Sequence, residues 1–344
     1  MPERTPERIL VTGATGFVGS HVTELLRAVR TAGTHGAAGT AGAARVVRTV
    51  GAGGPVLRLL THRRGSALPS SGGVETVTGD LADPASLRGI CEGVTTLVHL
   101  AARIGGTEEE CRAVNAEGTR ALLAEAARAG VRRIVQLGTA AVYGDGPHRG
   151  EAEGLLPERP TSATSLTRLA GERLVLAAGG TVLRPHLVYG RGDRWMVPAL
   201  VQLMGRLPYW VDGGRARMSL VSVDALAGAV VELALLPREA SAAVRGQVLH
   251  AGHPEPVTAR ELVTTVARAL GQALPEGERT LAQALELLGA PGDPVVRRRL
   301  SLLTVDHWYD SGRLWKLVGR GPGPRFPEAF GAYAPWYRDR PTAR

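Results

Sequence analysis

The feature that most constrains this chain lies near its start. An apolar run, Arg8-Ile9-Leu10-Val11, passes directly into Thr12-Gly13-Ala14-Thr15-Gly16-Phe17-Val18-Gly19. A strand that gives way to a helix through glycines at 13, 16 and 19 has the form of a dinucleotide-binding turn. Glycine is needed there because the backbone must turn tightly and approach a pyrophosphate with no Cβ in the way. The helix N-terminus then offers unpaired N–H groups and the positive end of its dipole to the anion. With 45 glycines in the chain, spacing alone carries little. The strand before the turn and the helix after it carry the inference.

That opening predicts a parallel sheet, and the first half continues accordingly. Apolar runs at 8–12, 56–61, 74–78, 96–100 and 133–138 alternate with helical patterns at 17–30, 84–92, 108–129 and 165–178. Such alternation predicts an α/β fold built on a Rossmann-type doubly wound sheet. The stretch 31–54 is dense in glycine, alanine and threonine, and reads as a flexible surface insertion. Beyond 180 the pattern is mixed, with strands at 181–185 and 217–222 and helices near 196–206, 224–236 and 258–270. Helical segments at 279–288 and 293–303, separated by Gly289-Ala290-Pro291-Gly292, read as a hairpin that is either a lid or a peripheral support. The expected division is a dinucleotide-binding domain over 1–180 and a mixed substrate-binding region over 181–344. The second region carries the hairpin near 277–303 and is interleaved with the Rossmann core.

Composition narrows the function classes. The formal charge is +9, yet Lys316 is the only lysine, and the arginines are dispersed apart from Arg297-Arg298-Arg299. With no zinc-finger spacing and no aromatic RNA motif, the basic balance reads as a solvated surface and not as a nucleic-acid interface. The apolar stretches, such as Ile134 to Leu137, are too short to cross a bilayer, so no membrane partner is expected. The start, Met1 to Arg8, is polar with no apolar segment before a cleavage site, so secretion is not expected. Cys91 and Cys111 have no metal-ligand partners nearby and read as reduced thiols, so a cytoplasmic protein without a metal is expected.

The second apolar run, Val56 to Thr61, ends in His62-Arg63-Arg64. An NAD-selective site places an acidic side chain here for the ribose 2′-hydroxyl. Arg63 and Arg64 suit a 2′-phosphate instead, which favours NADP(H), with NAD(H) still possible.

Further motifs make a resemblance plain. Beside Thr12 to Gly19 stand Gly79-Asp80-Leu81, His99-Leu100-Ala101-Ala102, Asn115 with Gly118-Thr119, and Ala141-Val142-Tyr143-Gly144. Leu183-Arg184-Pro185-His186-Leu187-Val188-Tyr189-Gly190 and Val221-Ser222-Val223-Asp224 follow. Over nearly its whole length the chain resembles the extended short-chain dehydrogenases/reductases. The resemblance implies that Gly13, Thr15, Gly16, Phe17, Val18 and Gly19 line the pyrophosphate. It implies that Asp80 and Leu81 face the adenine, that Leu100, Ala101, Ala102 and Gly138 flank the cofactor, and that Pro185, His186, Leu187 and Val188 hold the carboxamide.

The likeness breaks at the catalytic slot. Thr139 occupies the place of the hydroxyl that polarises a substrate carbonyl. The family's tyrosine acid and the lysine four residues later fall on Thr164 and Arg168. No shift of register restores them: with Lys316 the only lysine, the tyrosine would have to be residue 312, which is Gly312. An aliphatic hydroxyl is too weak an acid to protonate an alkoxide near neutral pH. Arginine stays charged and cannot relay protons, though Arg168 can hold ribose hydroxyls. Loss of general acid catalysis costs roughly 10²–10⁴-fold in rate. Of the other candidates, Tyr143 reads as loop support, His186 as a packing or contact residue, and Glu172 as a solvated or capping charge.

Two functions remain open. One is a ketoreductase whose substrate, an aromatic ketone of the angucyclinone type, carries its own hydrogen-bond donor; an atypical member of the family that reduces such a carbonyl shares the departure. The other is a non-catalytic NADP(H)-binding sensor, against which the retained Thr139 argues. A nucleotide-sugar ketoreductase or epimerase fits the length but leaves the lost pair unexplained.

Overall fold

The structure is a computed structural model and describes residues 7–35, 54–62 and 73–339. Its centre is a seven-stranded sheet of β1 (Arg8–Thr12), β2 (Val56–Thr61), β3 (Val74–Thr78), β4 (Thr96–His99), β5 (Arg133–Leu137), β7 (Thr181–Arg184) and β12 (Val248–His250). The order is β3-β2-β1-β4-β5-β7-β12, and every pairing is parallel. The order reverses between β1 and β4, which opens a crevice beyond their C-terminal ends.

Alternation along the strands supplies two cores. Ile9 and Val11 of β1, with Leu57, Leu59, Val98, Val135 and Leu183, pack on the Phe17–His35 and Val223–Ala234 helices. Leu10 points the other way and joins Leu97, Leu122, Val175 and Val182 beneath the Thr119–Arg128 and Ala163–Ala177 helices. The sheet is therefore buried on both faces, as parallel sheets require. It also takes β7 and β12, with the covering helix Val223–Ala234, from beyond residue 180. A division at 180 divides the sequence and not the sheet.

A second region lies over the strand ends. β6 (His148–Glu151), β10 (Arg217–Met218), β13 (Val257–Thr258) and β15 (His307–Tyr309) form a sheet in the order β13-β10-β15-β6. β8 (Leu187–Tyr189) pairs with β11 (Leu220–Ser222), and β9 (Trp210–Val211) with β14 (Glu278–Arg279). The helices Met196–Arg206 and Ala259–Leu270 share a core with Phe326, Phe330 and Tyr337.

Several expectations are corrected locally. The predicted helix at 84–92 is a single turn, Pro84–Leu87, because Gly89 takes φ +79° and gives its N–H to the Glu125 carboxylate. The strand expected over 217–222 splits at Ser219, whose N–H bonds to His307 O and whose hydroxyl takes the Tyr309 N–H. Each half thereby joins a different sheet. Thr31 to His35 of the expected insertion continue the first helix, while 36–53 fall outside the described residues. The hairpin is formed by Leu281–Leu287 and Pro294–Thr304, the first capped by Thr280. It packs Ala284, Leu285 and Leu300 on Leu207 and Val211. A small apolar cavity lined by Leu200, Met204, Trp210 and Leu303 lies beside it.

Candidate active site

The first wall of the crevice is the turn after β1. Gly13 adopts φ +70°, and a Cβ there would lie 2.7 Å from Ala101 N. A Cβ on Gly19 would lie 1.9 Å from Gly13 O, so the helix can start close to the turn only with glycine at 19. Thr15 and Gly16 are exposed at the tip, and Phe17 and Val18 open the helix, where first-turn N–H groups have no intrahelical acceptor. This is a cradle shaped for an anion, and a dinucleotide pyrophosphate fits it.

The facing loop, Leu100 to Ala102, is held by a buried chain of hydrogen bonds. Thr12 Oγ1 lies 2.7 Å from His99 Nδ1, His99 Nε2 lies 3.0 Å from Thr119 Oγ1, and Thr119 donates to Asn115 O at 2.8 Å. Because the Thr119 proton goes to a carbonyl, His99 must donate from Nε2 and accept at Nδ1. Thr12 therefore donates to the ring, and its oxygen receives the N–H groups of Leu100 and Ala101 at 3.2 and 3.3 Å. Burial, then the charge of Arg168, pushes His99 down to about 4, which keeps it neutral. Asn115 sits on a π-helical turn, Ala113–Gly118. It accepts from Arg103 N and donates to Arg103 O and Thr167 Oγ1. A Cβ on Gly118 would strike Leu81 O at 2.4 Å, so this glycine lets the helix meet the Asp80-Leu81 loop.

Asp80 folds back on its own turn: its carboxylate takes the Ala82 N–H at 2.8 Å and lies 3.3 Å from His62 Nδ1. Arg63 and Arg64 lie outside the described residues. Across the crevice, Pro185 O takes the Ala140 N–H at 2.9 Å, and Leu187 N donates to Ser219 O at 3.2 Å. Two of the backbone groups that the resemblance offers to a carboxamide are therefore spent inside the fold. Val188 lies in β8, in register with Val221.

At the slot, Thr139 caps the turn Ala140–Tyr143, its hydroxyl accepting from Ala141 N at 3.2 Å. That leaves its own proton to donate. Thr164 Oγ1 likewise takes a backbone N–H, that of Gly105 at 3.1 Å, and faces Cys111 Sγ. Arg168 sends both Nη2 protons to the carbonyls of Leu137 and Gly138, at 2.9 and 2.7 Å. Burial lowers its pKa, Glu172 opposes the fall, and the guanidinium stays charged.

Three further residues stand around the slot. Glu172 is not a solvated charge; it is fully buried. Its Oε1 takes the N–H of Thr139 at 3.0 Å, and its Oε2 takes Arg184 Nε at 2.7 Å. Burial pushes its carboxyl up against the pull of Arg184 and Arg168, and both oxygens act as acceptors, as an ionised carboxylate requires. The sequence carried a signal for this: 168 and 172 are one helical turn apart on the face that bears the slot. Tyr143 is buried and lies 2.7 Å from His250 Nε2, while His250 Nδ1 meets Asp310 O at 3.2 Å. The carbonyl fixes the Nδ1 proton, so Tyr143 donates to His250 and supports the loop. His186 stacks on His307 at 5.5 Å and meets the edge of Tyr309. Burial, then His307 and His148, holds it down to about 3, so it is no acid at neutral pH.

Residues 9–244 match the model of the NAD dependent epimerase/dehydratase family. The chain is 30% identical over 290 residues to a 3 beta-hydroxysteroid dehydrogenase/Delta 5-->4-isomerase of Mycobacterium tuberculosis, covering 78% of this chain and 71% of the relative. It is 30% identical over 218 residues to a 4-hydroxy-2-methyl-3-oxo-4-farnesyl-3,4-dihydroquinoline-1-oxide ketoreductase of Stigmatella aurantiaca, covering 60% of this chain and 58% of that one. Among solved structures, DesIV, a dTDP-glucose 4,6-dehydratase from Streptomyces venezuelae, superposes with a TM-score of 0.69 at 22% identity, over 96% of this chain and 97% of that one. With the crevice, its glycines and its altered slot in view, the chain belongs to the NAD dependent epimerase/dehydratase family and is an oxidoreductase dependent on a nicotinamide dinucleotide.

Proposed function

We propose that this chain is a ketoreductase, with NADP(H) favoured as its cofactor, that reduces a carbonyl of an aromatic polyketide of the angucyclinone type during antibiotic biosynthesis. One observation carries the reading: at the strand end Thr139 accepts the Ala141 N–H and keeps its own proton to donate, while the place of the family's phenol is held by Thr164, an aliphatic hydroxyl set between Gly105 N and Cys111 Sγ. Polarisation of a carbonyl is retained and acid catalysis is not. The cofactor, when bound, supplies hydride.

The rest falls to the chain's own groups. Gly13 to Gly19 and Leu100 to Ala102 would hold the dinucleotide, with Arg168 toward its nicotinamide ribose. Thr139 donates to the carbonyl oxygen as negative charge develops there. No side chain hands over a proton. A substrate with a hydroxyl beside its ketone supplies that hydrogen bond itself, and water completes protonation. Two relatives, a steroid dehydrogenase and a quinoline-oxide ketoreductase, support a flat fused-ring ketone.

The test is oxidation of NADPH in the presence of angucyclinone ketones with and without a neighbouring hydroxyl. Turnover is expected only for hydroxylated ketones. No turnover with any of them sinks the proposal.

A further inference from the structure

We infer that Glu172 and Arg168 are positioning residues that clamp the peptide carrying Thr139 from its two sides. This rests on the role proposed for Thr139 and extends it to groups that never touch substrate. Arg168 takes the carbonyls of Leu137 and Gly138 through a single nitrogen, Nη2. Glu172 takes the very next N–H, that of Thr139. Three backbone groups at the end of β5 are thus fixed by two side chains one helical turn apart on Ala163–Ala177, while the intervening Gly138 N–H goes to Leu183 O across the sheet.

Gly138 is shaped for the same contact. A Cβ there would fall 2.3 Å from Glu172 Oε1 and 2.7 Å from Val182 Cγ1. Only glycine lets the carboxylate reach past residue 138 to the amide of 139. The carboxylate is itself fixed, because Arg184 Nε holds its second oxygen and Glu158 takes Arg184 Nη2 at 2.5 Å. A buried, fully paired network of this kind has one arrangement.

The side-chain chemistry suits the task. A lysine ammonium is a freely rotating point donor on a flexible stem, whereas the two protons of a guanidinium Nη are fixed in one plane and diverge toward two carbonyls at once. Arginine at 168 therefore does something that lysine at this position would do poorly. The Thr139 hydroxyl, already tied to Ala141 N, is left with its peptide, its neighbours and its rotamer all determined. A donor held in this way costs no reorganisation when charge appears on the substrate.

The experiment uses full-length enzyme with NADPH bound and compares wild type, Arg168→Met, Arg168→Lys, Glu172→Gln and Thr139→Val. In Arg168→Met, hydrogen exchange across 137–141 should speed by roughly tenfold or more, while exchange in β1 and β4 stays as in wild type. Its kcat should fall by about tenfold or more with KM for the ketone little changed, since a donor displaced by a fraction of an ångström weakens only the transition state. In a Thr139→Val background the same substitution should cost almost nothing further, because the clamp acts through that hydroxyl. Glu172→Gln retains an acceptor for the Thr139 amide and should show a smaller rise in exchange.

Unchanged exchange in folded Arg168→Met, or equal losses of kcat in both backgrounds, would overturn the clamp. Should Arg168→Met fail to fold, Arg168→Lys, which keeps the charge but loses the fixed planar pair of protons, must show the faster exchange or the clamp is wrong. An enzyme that reduces no ketone defeats the proposed function, and the exchange arm still decides the clamp.

Discussion

At the scale of single residues, Thr164 is the most direct check on how the slot is used. Its hydroxyl caps the N–H of Gly105 and lies 3.9 Å from Cys111 Sγ, so it serves the 103–107 loop and not a substrate oxygen. Thr164→Ala should keep kcat within about threefold of wild type and cost on the order of 1 kcal/mol in stability, the worth of one lost hydrogen bond. Steady-state kinetics beside a denaturant titration reads both; a hundredfold loss of kcat with stability unchanged would show that Thr164 does chemistry. Glu172 teaches the converse about legibility. Its helical spacing from Arg168 is visible in the sequence, but Arg184 and the Thr139 amide, 12 and 33 residues away, are what bury it. No local pattern announces such distant partners. The glycine at 138 is equally mute until Glu172 is seen behind it.

At the scale of elements, His21 ties three of them together. Its Nδ1 lies 2.7 Å from Asp224 Oδ1, at the start of Val223–Ala234, and its Nε2 lies 2.8 Å from Arg191 O, in the loop after β8. Tyr333, near the C-terminus, donates to the other oxygen of Asp224 at 2.7 Å. An imidazole bonded through both nitrogens to acceptors alone must carry both protons. Burial pulls its pKa down, but the Asp224 bond, the Arg191 carbonyl and the Asp224 charge outweigh burial and the Arg191 guanidinium, so the net shift is upward. A folded pKa above the unfolded value of about 6.5 means that the clasp stabilises fully below that pH and fades as pH rises through the folded value. Urea titrations of wild type and His21→Phe should differ most near pH 6 and converge toward pH 9. A gap that widens with pH would refute the clasp. The strands and helices of the first half were legible because period-two and period-3.6 patterns are local. The 84–92 helix and the 217–222 strand were misread because a left-handed glycine and a tertiary bond at Ser219 overrode propensity.

At the scale of the whole molecule, buried neutral histidines outnumber the clasp. His99 and His186 are held at about 4 and about 3 by burial, and His148, His250 and His307 are also lowered, burial being the largest cause in each. The unfolded chain takes up these protons near pH 6.5 while the native state refuses them. Stability is therefore present above that pH and drains away below it, by up to about 1.4 kcal/mol per pH unit for each histidine. The urea midpoint should fall steeply between pH 7.5 and 5.5, against the smaller opposite trend of His21; a flat or rising midpoint would mean that these rings find protons in the fold. The five come from β4, β6, β8's approach, β12 and β15, so their assembly belongs to the tertiary fold and no single stretch foretold it.

The last strand of the main sheet has a consequence for synthesis. β7 pairs with β12 on its outer side, and some sixty residues of chain separate the two. The helix Val223–Ala234 that covers one face also belongs to this later stretch. Until residue 250 has left the ribosome, the nascent sheet carries an open parallel edge at β7 and an uncovered apolar face. Both invite pairing with other chains. The molecule must wait, partly built, for its own second half.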